Sequence, residues 1–178
     1  FHQFGRIAQE RGEYDAALDC YRKSLAIAEQ LGDRAGTSDT FHQLGIVAHL
    51  CGDYDAALDW YYKAFAIKEQ IGDRGGMAGT YSQLGILAFQ RGRADEAVAW
   101  NLGGLALHLK LRLPEVRVDL HWLNREREAL GEERFHAVLA EHLDADGVAS
   151  VLAMLDQARD AAQEKESAPD LPDPDENP

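Results

Sequence analysis

Histidine and cysteine are the side chains best suited to chemistry in this sequence, and their spacing limits what they can do. His42 and His49 stand seven residues apart. On a helix that is two turns along one face, a span of about 10 Å at 1.5 Å per residue. The pair is too far apart to share one metal ion. A zinc site would need His49 to meet a ligand from another part of the chain, and the residues forty positions to either side are Gln9 and Phe89. His136 and His142, beside Glu132 and Glu141, read as solvated side chains of a charged helix. Cys20 stands forty and eighty residues before Trp60 and Trp100, which marks a packing position rather than a nucleophile. With Cys51 as the only other cysteine, there is no disulfide framework. Gly75-Gly76 lacks the Lys-Ser or Lys-Thr of a phosphate-cradling loop. No G-x-S-x-G nucleophile elbow is present. No catalytic residue, metal ligand or cofactor is expected, and the chain reads as a non-enzyme.

The elements that carry these residues come from an internal repeat. Phe1–Thr40 written over Phe41–Thr80 agrees at 23 of 40 positions without a gap. A third copy begins at Tyr81 and fades after Leu111. A period near 40 without proline or β-branched runs predicts an all-α solenoid of antiparallel helix pairs. In the second copy, Phe41, Leu44, Val47 and Ala48 recur at helical spacing in a first helix over about 34–51. Gly52 ends it and Asp53 is placed to cap the next. A second helix over about 54–71 carries Ala57, Leu58, Tyr61, Ala64, Phe65 and Lys68 along one side, and Gly72-Asp73 closes the unit. Small residues at Gly45, Ala48, Ala57 and Ala64 let the two backbones approach, with Tyr54 and Tyr61 expected in the wedge between units.

Leu44, Gly45, Ala48, Gly52, Tyr54, Ala57, Tyr61 and Ala64 together form L-G-x-x-A-x-x-x-G-x-Y-x-x-A-x-x-x-Y-x-x-A. This resembles the tetratricopeptide repeat. The 40-residue spacing is similar to Pins-type adaptors, kinesin light chains and the repeat arrays of bacterial STAND signalling ATPases. The resemblance implies a right-handed α-solenoid whose first helices line a concave groove for peptides or partner helices. It places that groove on His2, Gln3, Arg6, Gln9, His42, Gln43, Ile46, His49, Ser82, Gln83, Ile86 and Phe89. Three repeats are expected over 1–40, 41–80 and 81–112, a non-repeat helical cap over 113–163, and a disordered acidic tail over 164–178 with proline at 169, 172, 174 and 178. The third repeat departs from the pattern: Ala94 and Asn101 replace tyrosines, and Gly103-Gly104 falls inside a helix. Close packing against the next helix, or a relaxed terminal repeat, is the simplest reason for that glycine pair; a bend that re-aims the C-terminal part is the alternative.

Eighteen Lys plus Arg against 31 Asp plus Glu give a formal charge of −13. Such a surface disfavours nucleic acid, whose binding releases counterions to a cationic protein, and anionic membranes. The expected partner is a protein or peptide, with no nucleic acid and no membrane. Positions free of framework duty differ between copies: Arg6, Gln9 and Glu10 become Ile46, His49 and Leu50, then Ile86, Phe89 and Gln90. Their side should carry the recognition, and groove histidines should gain charge below about pH 6. The chain starts at Phe1 in mid-pattern and reads as part of a larger, bacterial, cytoplasmic regulatory protein. Two other readings stay open. One is a ligand- or peptide-sensing domain that controls an attached effector. The other is a homo-oligomer formed through the open N-terminal edge.

Overall fold

Glycine followed by an acidic residue punctuates the first helices, and the backbone shows why. Gly32 and Gly72 take left-handed φ of 66° and 71°, which only glycine adopts cheaply. The next residue then caps the following helix. Asp33 Oδ1 accepts from Gly36 N at 2.9 Å, Asp53 Oδ1 from Ala56 N at 3.1 Å, and Asp73 Oδ1 from Gly76 N at 2.9 Å. Gly75-Gly76 is therefore a helix start. A Cβ on Gly76 would fall 2.1 Å from the capping Asp73 carboxylate.

The computed structural model describes residues 1–167, with side chains to Gln163. Those residues form α1 (His2–Glu10), α2 (Tyr14–Leu31), α3 (Arg34–Leu50), α4 (Tyr54–Ile71), α5 (Arg74–Gln90), α6 (Ala94–Leu111), α7 (Val116–Leu130), α8 (Glu132–His142) and α9 (Ala145–Ser167). No strand occurs among the described residues. Each helix packs on the next, and α3 also touches α5, as α5 touches α7. Odd-numbered helices thus make one layer of a solenoid and α2, α4 and α6 the other. α9 runs past the expected end at Gln163, through a stretch of good helix formers. The acidic tail expected from 164 is thus helical to Ser167, and from 168 onward it lies outside the described residues.

Two small cores hold the repeats. Ala8, Ala17, Tyr21, Leu44 and Val47 form one, and Ala57, Tyr61, Leu84 and Leu87 the other. In each, a tyrosine ring lies on the backbone of a glycine in its paired helix. A Cβ on Gly5 would come within 2.6 Å of the Tyr21 ring, and one on Gly45 within 2.6 Å of the Tyr61 ring. Tyr54, expected in the wedge, is instead 37% exposed, edge-on to His49 at 5.7 Å. It stands at the first turn of α4, beyond reach of the buried seam.

A larger core joins α6 to the last three helices through Val98, Leu105, Leu123, Phe135, Leu139, Val151 and Leu155. Gly103 and Gly104 lie on the other side of α6. A Cβ on Gly103 would sit 2.8 Å from the Tyr81 ring, and one on Gly104 3.1 Å from Ser82 Oγ. The pair is close packing, but chiefly against the preceding helix α5 rather than the next one, with only Asp119 of α7 near Gly104, at 3.2 Å from such a Cβ. At the site equivalent to Gly32 and Gly72 stands Arg112, left-handed at φ 56°. Here the 40-residue register ends, and the residues α7 buries follow a pattern displaced by one position from that of α3 and α5.

The glycine–tyrosine contact has a direct test. Gly45→Ala inserts a methyl group into the Tyr61 ring and should destabilise by about 1–3 kcal/mol as overpacking. Tyr61→Ala empties a fully buried site and should cost about 3–5 kcal/mol. Urea midpoints of both variants, read against the parent, check the contact; midpoints equal to the parent's would refute it.

Candidate functional site

The twelve expected groove residues divide into those the structure commits elsewhere and those it leaves available. The glutamines mostly serve the tyrosines. Tyr21 Oη donates to Gln9 Oε1 at 2.9 Å and lies 3.4 Å from Gln43 Oε1, and Tyr61 Oη lies 3.3 Å from Gln83 Oε1. A buried phenol needs an acceptor, and these amides supply it. His2 tilts on the Tyr21 ring at 5.6 Å, as His42 does on Tyr61 at 5.6 Å. His42 Nδ1 also lies 3.2 Å from Thr80 Oγ1 on α5.

Burial, then the nearby Lys68 ammonium, pushes the His42 imidazole down to about 4. The charge expected on this ring below pH 6 does not develop there, because water is excluded and a buried cation stands beside it. Lys68 is itself 3% exposed and paired with Asp39 Oδ1 at 2.6 Å and Asp73 Oδ2 at 3.4 Å.

Ser82 is not a groove residue. It is buried, and its hydroxyl donates to Asp119 Oδ1 at 2.7 Å. His108 Nδ1 lies 2.5 Å from the other oxygen of Asp119. Burial pushes the Asp119 carboxyl up, against the hydrogen bonds from His108 and Ser82. Serine, aspartate and histidine meet here in the wrong order for nucleophilic catalysis. The aspartate is central, so Ser82 has no base.

Phe89 is half-buried and covered from α7. Its ring meets Trp122 edge-on at 5.8 Å, and the Arg125 guanidinium stands 5.5 Å from its centroid. What remains available is Gln3 and Arg6, exposed on α1, the half-buried Ile46 and His49 on α3, and the half-buried Ile86 on α5. Leu50, 53% exposed, lies beside them. His49 Nε2 reaches Gln90 Oε1 at 2.5 Å, which ties α3 to α5 across this strip. Both cysteines are free, Cys20 half-buried and Cys51 exposed. His136 and His142 are exposed, and no metal-binding group of three or more ligands occurs among the described residues.

A family profile of the tetratricopeptide repeat matches residues 1–70 and again 40–110. The chain belongs to the tetratricopeptide repeat family. Repeats of this family mediate contacts between proteins. Among solved structures the chain is similar to BtubC (BKLC) from P. vanneervenii, at 15% identity and a TM-score of 0.70, covering 97% of this chain and 65% of that one. It is also similar to the nearly identical TPR-like repeats of a putative kinesin light chain from Podosopora anserina, at 18% identity and a TM-score of 0.60, covering 93% of this chain and 88% of that one. At such identities the likeness shows the fold alone. A search of curated proteins gives no match.

One polar pair was not foreseen. Asn101 stands where Tyr21 and Tyr61 stand in the first two units, and it is shorter by most of a ring. Glu126 of α7 reaches into the space left, accepting from Asn101 Nδ2 at 2.5 Å with no exposure to solvent. Burial pushes the Glu126 carboxyl up to about 8, against the Asn101 hydrogen bond. Asn101 Oδ1 and Glu126 Oε2 have no other partner among the described residues. A neutral carboxyl is the form that such a dry site tolerates. The signal in the sequence was the broken tyrosine position; that Glu126 of a polar run would answer it required the rotation of α7.

A raised carboxyl pKa binds a proton more tightly in the folded state. Its stability contribution is full below the ordinary value near 4.5 and is lost as pH rises through about 8. Glu126→Gln keeps a neutral partner for Asn101 and removes that loss. It should raise Tm at pH 8.5 while changing it little at pH 5, so the two Tm–pH curves converge in acid. Parallel curves in calorimetry would contradict the buried neutral acid.

Proposed function

We propose that the chain is a non-catalytic protein-interaction module that holds a partner peptide or helix along α1, α3 and α5. In this reading 1–112 is the binding solenoid and 113–163 its cap, within a larger cytoplasmic, bacterial regulatory or signalling protein. One observation carries the reading. The positions that change from copy to copy, Arg6/Ile46/Ile86 and Glu10/Leu50/Gln90, stay wholly or partly accessible on one side of the odd-numbered helices, while the framework Leu44, Leu84, Val47 and Leu87 is buried. Leu50 is exposed, and Ile46 stays partly accessible although it also packs on the Ala57, Tyr61, Leu84 and Leu87 core; apolar surface kept open in this way marks a binding strip. Gln3, Arg6, Ile46, His49 and Ile86 form its contact set, with His2 and His42 at its floor. Phe89, edge-on to Trp122, closes its far end.

A second reading has its own observation. Phe4 and Ile7 are 67% and 46% exposed, yet their repeat equivalents Leu44, Leu84, Val47 and Leu87 are at most 2% exposed beneath the preceding helix. A helix of the α2 type would cover Phe4 and Ile7, supplied by residues ahead of Phe1 or, in this second reading, by another copy of the chain. Light scattering over a concentration series should show association that Phe4→Glu abolishes. A monomer at every concentration would remove self-association through this edge.

For the main reading, peptides selected from a display library on the full chain provide the probe. Leu50→Asp and Ile86→Asp should weaken the selected peptides about tenfold or more, equivalent to about 1.4 kcal/mol, with Tm held near the parent's. Phe89→Ala is a poor test because it also unpacks Trp122. Selected peptides unaffected by either aspartate would place the recognition elsewhere.

A further inference from the structure

The cap of this acidic chain holds a cleft of opposite charge. α7 and α9 enclose a cleft of about 620 Å³. Arg117, His121 and Arg125 line one wall, spaced at four-residue steps and so on one face of α7. Arg159 stands on the α9 wall, next to the small side chains of Ala158 and Ala161. Glu128 is the one carboxylate in the lining. Three guanidinium groups thus face one carboxylate, in a chain whose formal charge is −13.

These cations are held without being spent. Neither Arg117 nor Arg125 makes an ion pair among the described residues, whereas the nearby Arg127 is bound to both Glu132 and Asp156. Arg125 is instead positioned by aromatic faces, 4.9 Å from the Trp122 centroid and 5.5 Å from that of Phe89. Such stacking fixes the guanidinium plane and leaves its N–H groups free for an incoming anion. Arg159 has only an exposed contact with Asp156, at 3.3 Å.

We propose that this cleft binds an acidic peptide segment. Its carboxylates meet Arg117, Arg125 and Arg159, and a small apolar side chain lies against the alanines of α9. The site lies beyond Phe89, which closes the strip on α1, α3 and α5, and does not depend on that reading. Three features favour a peptide. The cations extend along about 12 Å of α7, eight residues at 1.5 Å each, which suits carboxylates spaced along a chain better than one phosphate. The alanine wall offers nothing to a phosphate group. A long polyanion would also meet the rest of a strongly negative surface. Guanidinium forks suit bidentate carboxylates.

The test is fluorescence anisotropy on the full chain. The probe is a short fluorescein-labelled peptide rich in Asp and Glu around a central Leu, and the control carries Asn and Gln in their place. Only the acidic peptide should bind, and added salt should weaken it. Arg117→Gln with Arg125→Gln should weaken it about tenfold or more, a loss of about 1.4 kcal/mol, with an unchanged circular dichroism spectrum. Leu50→Asp should leave it alone. Equal binding of the two peptides would overturn the proposal. So would a double variant that binds like the parent, or a loss caused by Leu50→Asp. Stronger competition from a short oligonucleotide than from unlabelled peptide would reassign the site to nucleic acid and overturn it too. The chain's own acidic residues are handled by repeating the titration with Asp170→Asn, Asp173→Asn, Asp175→Asn and Glu176→Gln. No binding by either form would end the proposal.

Discussion

The repeat stack depends on how closely two helices can approach, and that is set where a tyrosine ring meets a bare glycine backbone. Tyr21 on Gly5 and Tyr61 on Gly45 are the same contact forty residues apart. Each ring lies flush because the glycine has no Cβ, and each hydroxyl is then carried across to a glutamine of the following unit. One residue type thus holds its own helix pair together and fixes the position of the next. The accessible strip, the covering of Phe89 by α7 and the cleft beyond it inherit their geometry from that spacing.

Most of the repeat architecture was legible because the first two units repeat a framework: Gly-Asp at the helix ends, alanines and glycines on the seams, a tyrosine at the same place in each. The caps on Asp33, Asp53 and Asp73 followed from that pattern alone. The candidate strip was legible only in outline. Variation between copies picked out Arg6, Ile46 and Ile86, which stay at least partly accessible although Ile46 also packs on the second core, but it cannot separate a residue open to a partner from one used by a neighbour that breaks the pattern. Ser82 and Phe89 fall in the second group. Both face α7, whose buried face is displaced by one position once Arg112 replaces the expected glycine. Asp119 and Glu126 lay hidden in a helix that reads as polar, because a buried carboxyl is recognisable only from the partner waiting for it.

Charge in this molecule is sorted by environment more than by number. His42 is held neutral by burial and by Lys68, and Glu126 is held neutral by burial alone. They pull in opposite directions with pH. The histidine's contribution is complete above its ordinary value near 6.5 and is lost as pH falls through about 4. The glutamate's weakens as pH rises through about 8. Between them lies the range in which both interfaces are best satisfied.

The Asn101–Glu126 pair has a consequence for assembly of the chain during folding. The third unit keeps the Leu-Gly framework of the second, at Leu84-Gly85 for Leu44-Gly45, so the two present related faces to a helix arriving from the C-terminal side. α7 can tell them apart. Docked one unit too early, it would press the Glu126 carboxyl against the Tyr61 ring, where no amide waits, and a buried polar group without its partner costs about 1–3 kcal/mol. Only at the third unit has the ring been replaced by an amide of matching reach. The exchange of a tyrosine for an asparagine thus gives the third unit a face that suits α7 and that the first two units lack.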